Sequence, residues 1–245
     1  MKNLNTFSIA ARCARTGMFG VGVSTAVPGV GSLCPFAQPR VGAVATQSWV
    51  NPYLGIDGLR LMASGMTAQA TLDKLMQQDP GAADRQVGIV DKNGASAAWT
   101  GSGCVLWAGH VTGVNFSAQG NMLVGPQTVH DMADTFVKTE SIDLPERLLI
   151  CLEAAQAAGG DKRGKQSAAI KIMHVEEYPY VELRVDEHRY PVAELRRVFE
   201  VARHQLLPFV NGLPSRKNPL GSIPQSVTEM LLTPPSLRPG GGSSI

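Results

Sequence analysis

Hydrophobic periodicity in this chain changes in blocks, and that ordering narrows its fold more than any single motif does. Period-two stretches that read as strands come first, at about residues 5–12, 18–26 and 41–49. Two helices follow, one over 55–64 with Ile56, Leu59 and Ala63 on one face and Gly65 behind it, and one capped by Thr67 and closed at Asp79-Pro80. Four more strands are predicted at 86–91, 95–100, 104–108 and 111–119, the last two separated at Gly109-His110. Helices then open at Pro126, with Val129, Met132, Ala133, Phe136 and Val137 as an apolar stripe, and at Leu144-Pro145-Glu146, with Leu148, Leu149, Leu152 and Ala155 inward. Strands at 166–173 and 180–185 and a helix from Pro191 complete the pattern.

No strand alternates regularly with a helix, which argues against a doubly wound parallel sheet. Short turns instead link neighbouring strands. Ala14-Arg15-Thr16-Gly17 makes a hairpin whose register puts Thr6 opposite Thr25 to within about a residue, and Asn93-Gly94 is the strongest short hairpin signal in the chain. The Gly- and Pro-rich run from Pro28 to Pro35 reads as a loop. Its Gly-x-Gly does not lead into a helix start, so it is a poor phosphate cradle. Hairpin-linked strands with paired helices suit an α+β, four-layer αββα sandwich of two antiparallel sheets. Residues 1–207 form that single domain. Residues 208–245 are a Pro/Gly/Ser-rich tail, with one short helix near 226–232 and disorder over 239–244.

Composition removes several function classes. A net charge of +2 over 245 residues makes no case for nucleic acid or an acidic membrane as partner. Apolar runs are too short to span a bilayer, and Asn3, Asn5 and Ser8 interrupt any signal-peptide core, so a cytoplasmic protein is expected. Cys13, Cys34, Cys104 and Cys151 are scattered without ligand-like spacing and read as buried free thiols. Asp186 and His188 lack the partners a metal would need. Neither metal nor cofactor is indicated. Exposed sheet edges and the tail suggest a homo-oligomer.

Candidate site residues gather on strands. Thr6 and Ser8 share one face of the first strand, while Phe7, Ile9 and Ala11 take the other. Thr46 and Ser48 share a face of the third. Such hydroxyls either floor a cavity with Thr25 or satisfy one another. His110, beside Gly109 at a strand end, is either a general base or a structural histidine. Asn121 is either an oxyanion or carboxylate donor or a turn residue. In the Gly-bracketed loop Asp161-Lys162-Arg163, Asp161 could orient a substrate amine and Arg163 could clamp a carboxylate, or the loop is simply solvated.

Six stretches carry a family resemblance: Thr6-Phe7-Ser8-Ile9, Gly42-Ala43-Val44-Ala45-Thr46-Gln47, Trp107-Ala108-Gly109-His110, Gln119-Gly120-Asn121-Met122-Leu123, the run from Gly159 to Ala168, and Val185-Asp186-Glu187-His188. From about residue 5 to about 207 the chain resembles the bacterial domain-of-unknown-function family 1028, grouped with the Ntn-hydrolase-like proteins. The resemblance implies the same αββα fold. It also implies a Thr, Ser or Cys nucleophile at the head of the first strand, whose freed α-amine acts as base. Thr6 matches that head position, with Ser8 next on its face. Met1 to Asn5 stand in front of it, so the chain as written gives Thr6 no free α-amine.

The expected function is hydrolysis of a non-peptide C–N bond (an amide, a lactam, or an enamine or imine undergoing deamination) in a small, polar, carboxylated metabolite. Thr6, Ser8 and His110 are the catalytic candidates. Thr25, Thr46, Ser48, Asn121, Asp161 and Arg163 are the substrate-binding candidates. The alternative is a non-catalytic small-molecule binding or assembly protein on the same frame.

Overall fold

A computed structural model describes residues 6–105, 107–161 and 164–241. The strands are β1 (Thr6–Arg12), β2 (Phe19–Thr25), β3 (Pro35–Gln38), β4 (Gly42–Ser48), β5 (Arg85–Asp91), β6 (Ser96–Thr100), β7 (Trp107–Gly113), β8 (Phe116–Leu123), β9 (Ser167–Met173) and β10 (Val181–Val185). The helices are α1 (Pro52–Ala63), α2 (Ala68–Gln78), α3 (Gln127–Lys138), α4 (Leu144–Ala157), α5 (Pro191–Gln205), α6 (Leu207–Val210) and α7 (Gln225–Leu232).

Strands β10-β9-β2-β1-β8-β7 form one antiparallel sheet and β3-β4-β5-β6 a second. The β1–β2 hairpin has the expected register, Thr6 opposite Thr25, and its turn closes where Gly17 takes a φ of 72°. On its other side β1 meets β8, with Thr6 opposite Asn121 and Ser8 opposite Gln119. The head of β1 is therefore flanked by a strand on both sides.

Alternation along each strand sorts the side chains into three cores. Phe7, Ile9 and Ala11 turn outward to meet Leu148, Leu149 and Leu152 of α4 and Phe199 of α5. Burying each leucine contributes about 2 kcal/mol. Val44, Val87 and Ile89 of the second sheet meet Leu59 of α1 and Leu72 and Leu75 of α2. Between the sheets lies a third cluster of smaller residues, including Ala10, Val21, Val23, Ala43, Ala45 and Val90. The result is the αββα sandwich expected from the block order.

Four local expectations are corrected. Pro35, read as the end of a loop, instead opens a strand over Pro35–Gln38 that was not foreseen; it lies at a sheet edge, where proline's missing N–H costs no ladder bond. β7 runs straight through Gly109-His110, and the turn comes later, at Val114-Asn115, with Asn115 at φ 70°. Gly109 instead sits at a bulge beside Trp107, whose ring would lie 2.9 Å from a Cβ there. α1 begins at Pro52 because Asn51 caps it, its side-chain oxygen accepting from the Tyr53 N–H at 3.1 Å. Val137, expected on the inward stripe of α3, is 62% exposed.

The tail folds back over part of its length. α7 falls where a short helix was expected and buries Val227. Tyr178 donates to the Pro214 carbonyl at 2.8 Å, and Gln205 donates to the Pro239 and Gly241 carbonyls at 3.1 and 2.6 Å. The rest of the stretch expected to be disordered, from residue 242 on, lies outside the described residues. Among the described residues, no helix is long and apolar enough to cross a membrane. The four cysteines are free; Cys13, Cys34 and Cys151 are buried, and burial pushes the thiols of Cys34 and Cys151 up to about 12.

One close approach sets the spacing of the sheets. A Cβ on Gly88 of β5 would lie 2.0 Å from Gln119 Oε1 and 2.7 Å from Ser117 Oγ, both on β8 of the facing sheet. Gly88→Ala is therefore expected to displace Gln119 and lower stability by about 1–3 kcal/mol, read from the denaturant midpoint. An unchanged midpoint would mean that the sheets approach less closely than this.

Candidate active site

The apolar filling between the sheets gives way to polar side chains at the end where β1 begins. By strand alternation, the inner face there carries Thr6 and Ser8 (β1), Thr25 (β2), Gln47 (β4), Gln86 (β5), Thr100 (β6), and Ser117, Gln119 and Asn121 (β8). Their hydrogen bonds run in one direction. Ser117 donates to Gln119 Oε1 at 2.8 Å, Gln119 Nε2 to Ser8 Oγ at 2.7 Å, Ser8 Oγ to Gln47 Oε1 at 2.6 Å, and Gln47 Nε2 to Gln86 Oε1 at 2.7 Å. Gln86 Nε2 ends the run on the Gly120 and Gly109 carbonyls at 2.8 and 3.1 Å and on Thr100 Oγ1 at 2.9 Å. Bonds from Gln119 Nε2 to the Ser8 carbonyl, 3.2 Å, and from Gln47 Nε2 to the Thr6 carbonyl, 3.3 Å, hold the β1 backbone to β8 beside it and to β4 of the facing sheet.

Thr6 sits at the upper lip of this layer, 4% exposed, with its hydroxyl 3.1 Å from the Thr25 hydroxyl. Asn121 faces it from β8 and donates through Nδ2 to Gln86 Oε1 at 2.9 Å; its Oδ1 is buried with no partner among the described residues. Beside it, Met122 has a φ of 53°, a conformation that non-glycine residues seldom adopt. Asp161 closes the same end. Its carboxylate accepts from the Ala26 N–H at 3.1 Å, one residue past Thr25, and its backbone bridges to Leu123. Thr6, Thr25, Asn121 and Asp161 thus come together from four separate segments. Arg163 lies outside the described residues.

The other candidates fall elsewhere. Ser8 is beneath Thr6, fully buried, with its proton on one amide and its lone pair taken by another. Neither partner is a base, so its surroundings do not suit a nucleophile. Thr46 and Ser48 are a correction: with Val44 they belong to the face of β4 turned toward the helices. Thr46 donates to the Asn51 carbonyl at 3.2 Å, and Ser48 accepts from Cys104 Sγ at 3.4 Å. Gln47 between them faces Ser8. His110 meets Thr100 Oγ1 through Nδ1 at 2.9 Å and bonds to neither Thr6 nor Ser8. It is two strands from β1, about 10 Å at ordinary strand spacing. The residue is exposed, and partial desolvation at the sheet surface holds its pKa below the ordinary value, which favours the neutral imidazole.

Gln47, Gln86 and Gln119 were missed in the sequence. The signal was there: a long amide in period with small residues on strands otherwise made of Ala, Gly and Val. The polar alternation Ser117-x-Gln119-x-Asn121 marks a buried polar face as clearly as the hydroxyls did.

A model of the Family of unknown function (DUF1028) matches residues 6–195. The crystal structure of a protein of that family from Silicibacter pomeroyi is similar at 28% identity and a TM-score of 0.82, covering 90% of this chain and 100% of its own. Anbu (ancestral beta-subunit) from Yersinia bercovieri is far more distant, at 12% identity and a TM-score of 0.36 over 85% of this chain and 98% of its own, a likeness too low to bear on fold or chemistry. No curated protein matches. The match begins at Thr6 and takes in both sheets and the whole polar layer, and the chain belongs to the DUF1028 family.

Proposed function

We propose that this protein is an Ntn-hydrolase-like enzyme that cleaves a non-peptide C–N bond in a small, polar, carboxylated metabolite, with Thr6 as nucleophile. The observation that carries the reading is the position of Thr6. It heads a central strand, at the lip of a buried polar layer, with Thr25, Asn121 and Asp161 around it.

For an amide, the Thr6 hydroxyl would attack the carbonyl carbon and pass its proton, through a base, to the departing nitrogen. The C–N bond breaks, the amine leaves, and water then releases the acid from the ester on Thr6. Removal of residues 1–5 would supply the α-amine as that base. The layer below would hold β1 rigid, so that the hydroxyl keeps one position relative to the substrate. Asp161 would orient the substrate nitrogen and Arg163 clamp its carboxylate, as the sequence suggests. His110 would act as a positioning residue at the flank, through Thr100 and Gln86. A cytoplasmic homo-oligomer with no cofactor completes the proposal.

A binding protein on the same frame is the second reading. What favours it is the hydroxyl–hydroxyl pair of Thr6 and Thr25, since neither hydroxyl is a base for the other.

Ammonia or amine release from a panel of carboxylated amides, lactams and enamines separates the two. Thr6→Ala is expected to lower turnover by at least about a hundredfold, and His110→Ala by less than about tenfold. Mass spectrometry of the active protein is expected to find Thr6 at the mature N-terminus. Turnover unchanged in Thr6→Ala would end the nucleophile assignment, and no turnover across the panel would favour the binding protein.

The His110 ring should titrate below its ordinary value of about 6.5, followed by NMR. As pH falls through that value the unfolded chain takes up the proton first, so this group lowers stability with falling pH. His110→Ala should flatten that part of the stability profile. A ring midpoint above 6.5 would show that burial does not govern this histidine.

A further inference from the structure

The direction in which the Asn121 amide points follows from groups that cannot turn round. Gln86 Nε2 lies 2.8 Å from the Gly120 carbonyl and 3.1 Å from the Gly109 carbonyl, and backbone carbonyls only accept. Reversing the Gln86 amide would set three oxygens against one another, so Oε1 has to face the opposite way. There it accepts from Gln47 Nε2 at 2.7 Å and Asn121 Nδ2 at 2.9 Å. Gln47 is fixed in turn, with its own oxygen taking the Ser8 proton and its nitrogen reaching the Thr6 carbonyl. Asn121 must therefore give its nitrogen to Gln86 and keep its oxygen for something else. That oxygen has no partner among the described residues, although the residue is only 1% exposed. A buried acceptor left in this way destabilises the fold unless a donor meets it.

Asn121 lies directly across from Thr6, a spacing of about 5 Å between Cβ atoms. At that spacing, a ligand atom one bond from a carbon held against the Thr6 hydroxyl would come to the Asn121 side of the site, where Oδ1 is the acceptor still to be met. From this geometry we infer that Asn121 is a specificity residue: a fixed acceptor that reads an N–H on the atom joined to the reacting carbon, so that the site takes amides and amines bearing an N–H and rejects esters and fully alkylated amides of the same shape. The sequence suggested Asn121 as a donor to an oxyanion or carboxylate; the atom without a partner is the oxygen, which reverses that polarity. An ester would bring a lone pair against Oδ1 where an amide brings a hydrogen. Sites built to pair a substrate N–H discriminate strongly against analogues that lack it.

The inference rests on the proposed hydrolase reading for the identity of the reacting carbon, but its test is binding, not turnover. N-methylsuccinamate, monomethyl succinate and N,N-dimethylsuccinamate form a series in which an N–H is replaced by O and by N–CH3. By calorimetric titration of the full chain, N-methylsuccinamate should bind at least about tenfold more tightly than either of the others. In Asn121→Leu that preference should fall below about threefold. The comparison among the three probes needs no variant, so it stands even where Asn121→Leu fails to fold. Equal binding of amide and ester, a preference that persists in Asn121→Leu, or no binding by any of the three would overturn the inference. N–H-selective binding without amine release would uphold it while ending the hydrolase reading. Thr6-dependent release with no N–H preference would do the reverse.

Discussion

The two sheets of this protein are joined at one end by a single line of amide hydrogen bonds, and the site depends on it. Gln47 and Gln86 reach inward from the second sheet, and Gln119 and Asn121 from the first. Buried amides are costly unless every donor and acceptor is met. Here the run ends on backbone carbonyls, which cannot rotate away. The line therefore carries one direction from Ser117 to Gln86, and each amide in it has only one orientation open to it. An apolar layer would hold the sheets together as well but would not fix which way anything points.

That constraint explains the division of the inter-sheet space. Where Ala10, Ala43, Ala45 and Val90 meet, small apolar side chains pack without directional demands. Where the glutamines meet, the sheets must come close enough for side-chain amides to touch the opposite strand, and Gly88 makes room for Gln119. It also separates two hydroxyls that looked alike. Ser8 is spent on the line, with both its proton and its lone pair engaged. Thr6, two residues earlier on the same face, sits above it, and among the described residues its hydroxyl pairs with that of Thr25. The outer layers then hold the strands in place: Leu148, Leu149 and Leu152 press on the back of β1, while Arg196 ties α5 to Glu146 and Glu153 of α4 at 2.5 and 2.7 Å.

Much of the fold was legible because local rules governed it. The Ala14–Gly17 turn and the alternation of Thr6, Ser8 and Ala10 were enough to set the β1–β2 register. Thr67 caps α2 through its side chain as its residue type suggests. Misreadings came where a local signal had a second use. Pro35 looked like a loop residue but occupies a sheet edge, and Gly109 looked like a turn but makes a bulge under Trp107. Thr46 and Ser48 were grouped with the other hydroxyls because period two tells which residues share a face, but not which face meets which layer.

By itself, the sequence determined most of the block order of strands and helices, the β1–β2 and β5–β6 hairpins, and which side chains ride together on each strand, since these follow from turn chemistry and backbone alternation. Only the tertiary structure decided that β8 lies beside β1, so that Asn121 faces Thr6 across 115 residues of chain, and that β4 and β5 turn Gln47 and Gln86 toward that pair. Sheet stacking and strand order are set by long-range burial, which no local pattern encodes. The orientation of a side-chain amide depends on its partners in space, and here those partners come from both sheets.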